Sequence, residues 1–362
     1  MPRIVHQGRN SELRVISALF LLWFLLHCLP IHAGGDFDLV PPAAADLPQT
    51  VTVHDLRGSY RLEVCGQLDA VPSVCDEVLR HFAGETPPLV LPPVKDLAQR
   101  YRIVFVPGLF SECFEPLVRP FEDVMEALRA DGFHTDYFGV SGRGSVSDNA
   151  ARLALQFFDT RDDTRRLIVF AYSKGLIDTL EMLLDYPATG ENIAAVVSMA
   201  GAANGSPLAD QLNTLYLRLG AWFPLPGCAA GNGLEIRDLS HAVRRQWWQA
   251  HRSALTVPLY ALVAAPRPEQ VSTATWLSYQ QLARTDPFND GKLLWEDQVP
   301  PGSRLLGFVN ADHWTIAVPV ASQLPWLSFM FRDDVPRTVL VESAIKLVAQ
   351  TLAADEQARG ID

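Results

Sequence analysis

From Tyr101 onward, unbroken apolar runs alternate with segments of helical spacing. Tyr101-Arg-Ile-Val-Phe-Val-Pro107 has the continuous hydrophobicity of a strand buried on both faces, and Pro107-Gly108 ends it. Phe114–Asp131 carries apolar residues at 117, 121, 124, 125 and 128, which predicts a helix stopped by Gly132. His134–Val140 reads as the next strand, and Ser145–Phe158 as a helix with Ser147 or Asp148 as its N-cap. Arg166–Ala171 predicts a strand, Gly175–Tyr186 a helix ended by Pro187, and Ile193–Met199 another strand. After a long insertion come strands at Val257–Val263 and Arg304–Val309, then a closing helix at Val335–Ala353. Such alternation implies an α/β domain with a mostly parallel sheet and helices on both faces. We assign it residues 101–362, with an inserted helical cap at about 206–256. Residues 34–100 read as an Ala/Pro-rich lead-in followed by short strands and turns, with a helix near Cys75–Ala83.

The first 33 residues follow a different pattern. Arg3, Arg9 and Arg14 precede the run Val15–Leu26, which is short of the ~20 apolar residues that span a bilayer but suits the apolar part of a secretory signal. Ile31-His32-Ala33 before Gly34 offers a cleavage site. An uncleaved membrane anchor over residues 15–31 is the alternative, and export to the periplasm or medium is the expectation. At 48% hydrophobic and 20% charged residues, the chain belongs with proteins that bury a substantial core. A net charge of −11 and the lack of any Lys/Arg-rich block argue against nucleic acid as a partner. Beyond the leader remain Cys65, Cys75, Cys113 and Cys228, an even number compatible with two disulfides in an exported chain. Cys65–Cys75 would close a short local loop, leaving Cys113–Cys228 by elimination. Four free buried thiols is the other reading. No Cys/His spacing resembles a metal site, and no cofactor is expected.

The chemistry is concentrated in Leu167-Ile-Val-Phe-Ala-Tyr-Ser-Lys-Gly175, where an apolar strand turns at Ser173 directly into a helix. Ala171 and Gly175 are small enough to let strand and helix pack closely around a strained turn, the requirement behind the G-x-S-x-G nucleophile elbow. Lys174 is expected to be an exposed first-turn residue rather than a base. An activated serine needs a base, and the base an orienting acid. Of the three histidines after Ser173, His241 and His251 lie in the insertion. His313 follows the final strand in Asn310-Ala-Asp-His-Trp314, so it is the candidate base. Asp286, Asp290, Glu296 and Asp297 are the candidate acids. Asn289-Asp290-Gly291 is a turn signature that favours Asp290, with Asp297 second. Asp312 is expected to be a structural hydrogen-bonding residue. The backbone N–H groups of Lys174 and of Leu109, in Val106-Pro-Gly-Leu-Phe110, are the candidate oxyanion donors.

Taken together, the chain resembles an α/β-hydrolase, and within that superfamily the bacterial lipases and esterases. Ala-Tyr-Ser-Lys-Gly resembles their alanine-first elbow, Val-Pro-Gly-Leu their oxyanion loop, and Asn-Asp-Gly and Asp-His-Trp their acid and base loops. The resemblance covers about Tyr101 to Ala353. Pro107 stands where these enzymes usually carry histidine before the glycine, and Ala171 replaces the first elbow glycine. The resemblance implies an exported serine hydrolase of small-molecule or lipid esters, with Ser173, Asp290 and His313 as the triad and an acyl-enzyme intermediate. An acyltransferase using the same residues, or a catalytically inactive binding or membrane-associated module, are the alternatives. The insertion carries Leu215, Leu217, Leu219, Trp222, Phe223, Leu225, Trp247 and Trp248, which either line an acyl pocket or pack the cap onto the domain.

Overall fold

The apolar runs become strands of one sheet. A computed structural model describes residues 54–360 apart from 69–71, 83, 116, 162, 213–226 and 228. Its strands are β1 (His54–Asp55), β2 (Leu79–Arg80), β3 (Tyr101–Val106), β4 (Thr135–Tyr137), β5 (Arg166–Tyr172), β6 (Ile193–Met199), β7 (Leu259–Ala264) and β8 (Arg304–Val309). They are ordered β1-β8-β7-β6-β5-β3-β4, with β2 also on β8. All pairings are parallel except that of β2 with β8. The register places Val106 beside Ala171 and Ala171 beside Ser198, so the ends of β3, β5 and β6 come level at the elbow.

Alternate side chains of these strands enter different cores. Ile103, Phe105, Ile168, Phe170 and Val197 pack with helices α1 (Arg57–Gln67), α3 (Glu122–Ala130) and α7 (Arg337–Ala358), through Tyr60, Val124, Met125 and Leu340 among others. Val104, Val106, Leu167, Val169 and Val196 pack instead with α4 (Val146–Phe158) and α5 (Lys174–Asp185), through Leu153, Phe157, Leu176 and Leu180. Burial on both faces is why these strands lack a polar alternation.

Several elements differ from expectation. Residues 57–67, expected as strand and turn, form α1, and a second helix, α2, spans Pro72–Val78 and gives way to β2 before Ala83. Cys65 on α1 and Cys75 on α2 are joined by a disulfide. Cys113 is also in a disulfide, while Cys228 lies outside the described residues. The helix expected over 114–131 is one turn at Ser111–Phe114 and then α3, because Pro120 cannot donate within a helix and Phe121 takes a positive φ of 61°. The N-cap of α4 is Ser145, whose Oγ accepts from Asp148 N–H at 3.1 Å, so Asp148 is the capped residue rather than the cap. β7 starts at Leu259 because Pro258 has no N–H to give the ladder.

The leader expected at 1–33 lies outside the described residues, as do Leu215, Leu217, Leu219, Trp222, Phe223 and Leu225. Among the described residues no helix is long and apolar enough to cross a membrane. Of the insertion, α6 (His241–His251) is described. Trp248 packs against the core shared with α4 and α5, and its Nε1 donates to Ala203 O at 2.8 Å. Trp247 lies against the same core, so these two indoles hold the insertion to the domain.

Candidate active site

β5 ends at Tyr172, and α5 begins at Lys174 with Ser173 between them at φ 53°, ψ −126°. A non-glycine residue at positive φ is strained and persists only where its surroundings hold it. Here the Ser173 carbonyl accepts from Leu176 N–H and Ala202 N–H, and its own N–H reaches Met199 O. The turn also needs close backbone approach. A Cβ on Gly175 would lie 2.2 Å from Pro107 O, and one on Gly108 would lie 2.7 Å from Ser173 Cβ. Both contacts are too short to exist, which accounts for glycine at both positions. Ala171 is accommodated, fully buried, in the core under α5.

β8 delivers His313. Its Nε2 lies 2.9 Å from Ser173 Oγ and its Nδ1 lies 2.6 Å from Asp290 Oδ2. The backbone repeats the tie, His313 N–H donating to Asp290 O at 2.9 Å. On its other side the ring lies against Tyr172, whose hydroxyl donates to His313 O at 2.7 Å. The Asn289-Asp290-Gly291 turn presents the acid. Asn289 Oδ1 accepts from Gly291 N–H, Gly291 takes φ 86°, and Asp290 Oδ1 accepts from the N–H groups of Lys292 and Leu293. With Oδ1 occupied by the turn, Oδ2 is directed to the imidazole. Asp290 is fully buried, so its charge has little competition from water.

The other acids are engaged elsewhere. Asp286 accepts from Trp295 Nε1 and Phe288 N–H, and Glu296 is exposed. Asp312 accepts from the backbone of Ser272, Trp314 and Thr315. Asp297 accepts from Leu294 N–H and pairs with His241, whose second ring nitrogen pairs with Asp210. The hydrogen bond to Asp297, reinforced by Asp210, raises the His241 pKa to about 9.

Sequence reasoning missed the surroundings of Lys174. Rather than being exposed it is buried, its Nζ donating to Asp178 Oδ1 one helical turn on at 2.5 Å. The i,i+4 spacing was the available signal. Burial pushes the Asp178 carboxyl up to about 6, against the pull of Lys174. As the first residue of α5, Lys174 has a backbone N–H with no partner inside the helix, at the positive end of the helix dipole and adjoining Ser173. Leu109 follows Gly108 across the turn. Among the described residues, no group of three or more His, Cys, Asp or Glu is arranged to hold a metal ion.

Comparison with known proteins adds breadth to this geometry. No protein-family model matches the chain. No curated protein matches its sequence. The crystal structure of a metagenomic carboxyl esterase is similar at a TM-score of 0.77 and 29% identity, over 91% of this chain and 99% of that one. A Bacillus licheniformis lipase in its propeptide form is similar at a TM-score of 0.50 and 20% identity, over 62% of this chain and 49% of the lipase, a likeness of fold alone. Among the described residues an eight-stranded, mostly parallel sheet flanked by helices, and similarity over nearly the whole length of a carboxyl esterase, place the chain in the α/β-hydrolase superfamily, among hydrolases of the esterase kind.

Proposed function

We propose that this chain is an exported serine hydrolase that cleaves small carboxylic esters, lipid-like ones included, through Ser173, His313 and Asp290. The observation that carries the reading is the continuous chain from Asp290 Oδ2 through His313 to Ser173 Oγ, with links of 2.6 and 2.9 Å. With Asp290 accepting from Nδ1–H, the Nε2 lone pair faces the serine hydroxyl, the tautomer a general base requires. Ser173 Oγ attacks the ester carbonyl carbon while Nε2 takes its proton. The carbonyl oxygen gains the negative charge and is met by the N–H groups of Leu109 and Lys174. Collapse of this intermediate expels the alcohol, which takes the proton from His313, and leaves an acyl-Ser173. Water, deprotonated by His313, then attacks the acyl carbon, and Ser173 recovers its proton as the acid departs. The buried Asp290 stabilises the imidazolium formed in each half-reaction. Export is supported by the basic flank and apolar run of residues 3–26 and by the Cys65–Cys75 disulfide.

A fluorophosphonate probe tests the nucleophile, since it phosphonylates an activated serine and leaves an inert one untouched. The wild type is expected to gain one adduct, on the peptide containing Ser173, and Ser173→Ala none. An unlabelled wild type would contradict the proposal and favour the inactive binding module.

A further inference from the structure

The proposed hydrolysis needs two N–H groups, of Leu109 and Lys174, at a fixed separation, yet one stands on the loop after β3 and the other on the first residue of α5. A polar chain, buried from Lys174 to Asn149, connects the two. Lys174 Nζ donates to Asp178 Oδ1 at 2.5 Å, and Asp178 Oδ2 accepts from Asn149 Nδ2 at 2.8 Å. Asn149 also grips the backbone of Ser141, its Oδ1 accepting from Ser141 N–H at 3.0 Å and its Nδ2 donating to Ser141 O at 3.2 Å. The next residue, Gly142, accepts from Phe110 N–H at 2.8 Å and donates its own N–H to Glu112 Oε2 at 3.0 Å. The chain therefore runs from the residue after Ser173 to the residue after Leu109.

Two glycines make room for it. A Cβ on Gly144 would lie 2.6 Å from Asn149 Oδ1, and one on Gly142 would lie 3.0 Å from Phe110 Cα. Phe110 itself is held at φ 61°, a conformation that needs such restraint. Lys174, Asp178 and Asn149 are each at most 1% exposed. A buried ion pair is weak as a source of stability, because apolar residues of the same volume often do as well. Apolar residues would not supply direction, and direction is what two separate donors around one oxyanion require.

We propose that Lys174, Asp178 and Asn149 are positioning residues that couple the two walls of the oxyanion hole, holding the Leu109 and Lys174 N–H groups at the spacing of a tetrahedral intermediate. This rests on the function proposed above. The Lys174 ammonium acts through Asp178 and does not touch substrate.

The test compares wild type, Lys174→Met/Asp178→Leu and Asn149→Ala in p-nitrophenyl butyrate hydrolysis, in affinity for an alkylboronic acid that adds to the serine as a tetrahedral anion, and in thermal midpoint. The double variant removes both charges and leaves neither orphaned. It leaves one buried Asn149 N–H without its acceptor, so the midpoint is expected to fall by only a few degrees, with KM within about twofold, while kcat falls roughly 10–100-fold and boronate affinity falls in parallel, a fraction of the effect of deleting an oxyanion donor outright. A folded double variant with wild-type kcat would overturn the proposal. If that variant does not fold, Asn149→Ala, which spares the ion pair and cuts only its link to Ser141, decides by the same criteria. Ser173→Ala serves as control. Hydrolysis that survives in it would refute the serine mechanism itself, whatever the positioning variants do.

Discussion

Among single residues, the chemistry turns on which carboxylate faces His313. Asp290 and Asp297 are both buried and only seven positions apart, yet each is committed to a different histidine by the backbone that holds it. Asp290→Asn is expected to keep the turn but present the wrong hydrogen-bonding partner to Nδ1, lowering kcat for p-nitrophenyl esters by about 10⁴. Asp297→Asn is expected to lower the thermal midpoint, because His241 loses the more buried of its two charged partners, with kcat changed less than about tenfold. Equal losses of kcat in the two variants would contradict the assignment. Much of this site was legible from local chemistry. Asn289-Asp290-Gly291 is a turn whatever surrounds it, and His313 was the histidine left once the insertion was set aside. Lys174 was misread as exposed because its partner Asp178 is itself buried and held by Asn149 from another helix, a contact that spacing along the chain does not reveal.

At the element scale, the loop bearing Asp290 is tied to the insertion. Asn204 Nδ2 donates to Glu296 O and Val299 O, Ser206 Oγ donates to Lys292 O, and His241 bridges Asp297 on the loop and Asp210 in the insertion. The hydrogen bond to Asp297 comes first among the causes that lift the His241 pKa to about 9, above the ordinary 6.5. A group raised on folding contributes stability that is complete below about 6.5 and lost as pH rises through 9. The wild type is therefore expected to lose more stability between pH 7 and pH 10 than His241→Gln does, by on the order of 1–3 kcal/mol, the worth of a charged hydrogen bond. Denaturant titrations of both proteins at the two pH values would check it, and parallel curves would contradict it. Strands were the most legible elements. β3, β5, β6 and β8 are apolar runs because both faces are covered, and their observed bounds lie within a residue of those read from the sequence. α1 was not legible, since Gly58 and Gly66 weaken its helical preference and its burial comes largely from distant partners such as Leu340, whose carbonyl accepts from Tyr60 Oη at 2.7 Å.

At the scale of the whole molecule, the segment before Tyr101 completes the sheet. β1 runs parallel to one end of β8 and β2 antiparallel to the other, so the strand that delivers His313 is paired by β1 and β2 along its outer edge. The Cys65–Cys75 disulfide pins α1 to α2 within that segment, closing a loop of 10 residues. Replacing both cysteines with serine is expected to cost about 2–3 kcal/mol of stability through the freedom returned to the unfolded chain. Because this loop lies outside the Ser173–His313–Asp290 cluster, kcat at 25 °C is expected to stay within about twofold, and denaturant titration with p-nitrophenyl butyrate kinetics would check both. The parallel order of the sheet followed from the alternation of elements alone. The seating of residues 54–80 on β8 did not, because it joins short strands whose pairing is a matter of tertiary contact and not of local pattern.

Whether Ser173 is the nucleophile of an ester hydrolase can be read from the hydrolysis of p-nitrophenyl esters, acetate to palmitate, by the wild type and Ser173→Ala. Turnover is expected on at least part of that series, with its loss in the variant by a factor on the order of 10⁴–10⁶. No turnover by the wild type at any chain length, or turnover that survives the substitution, would contradict it.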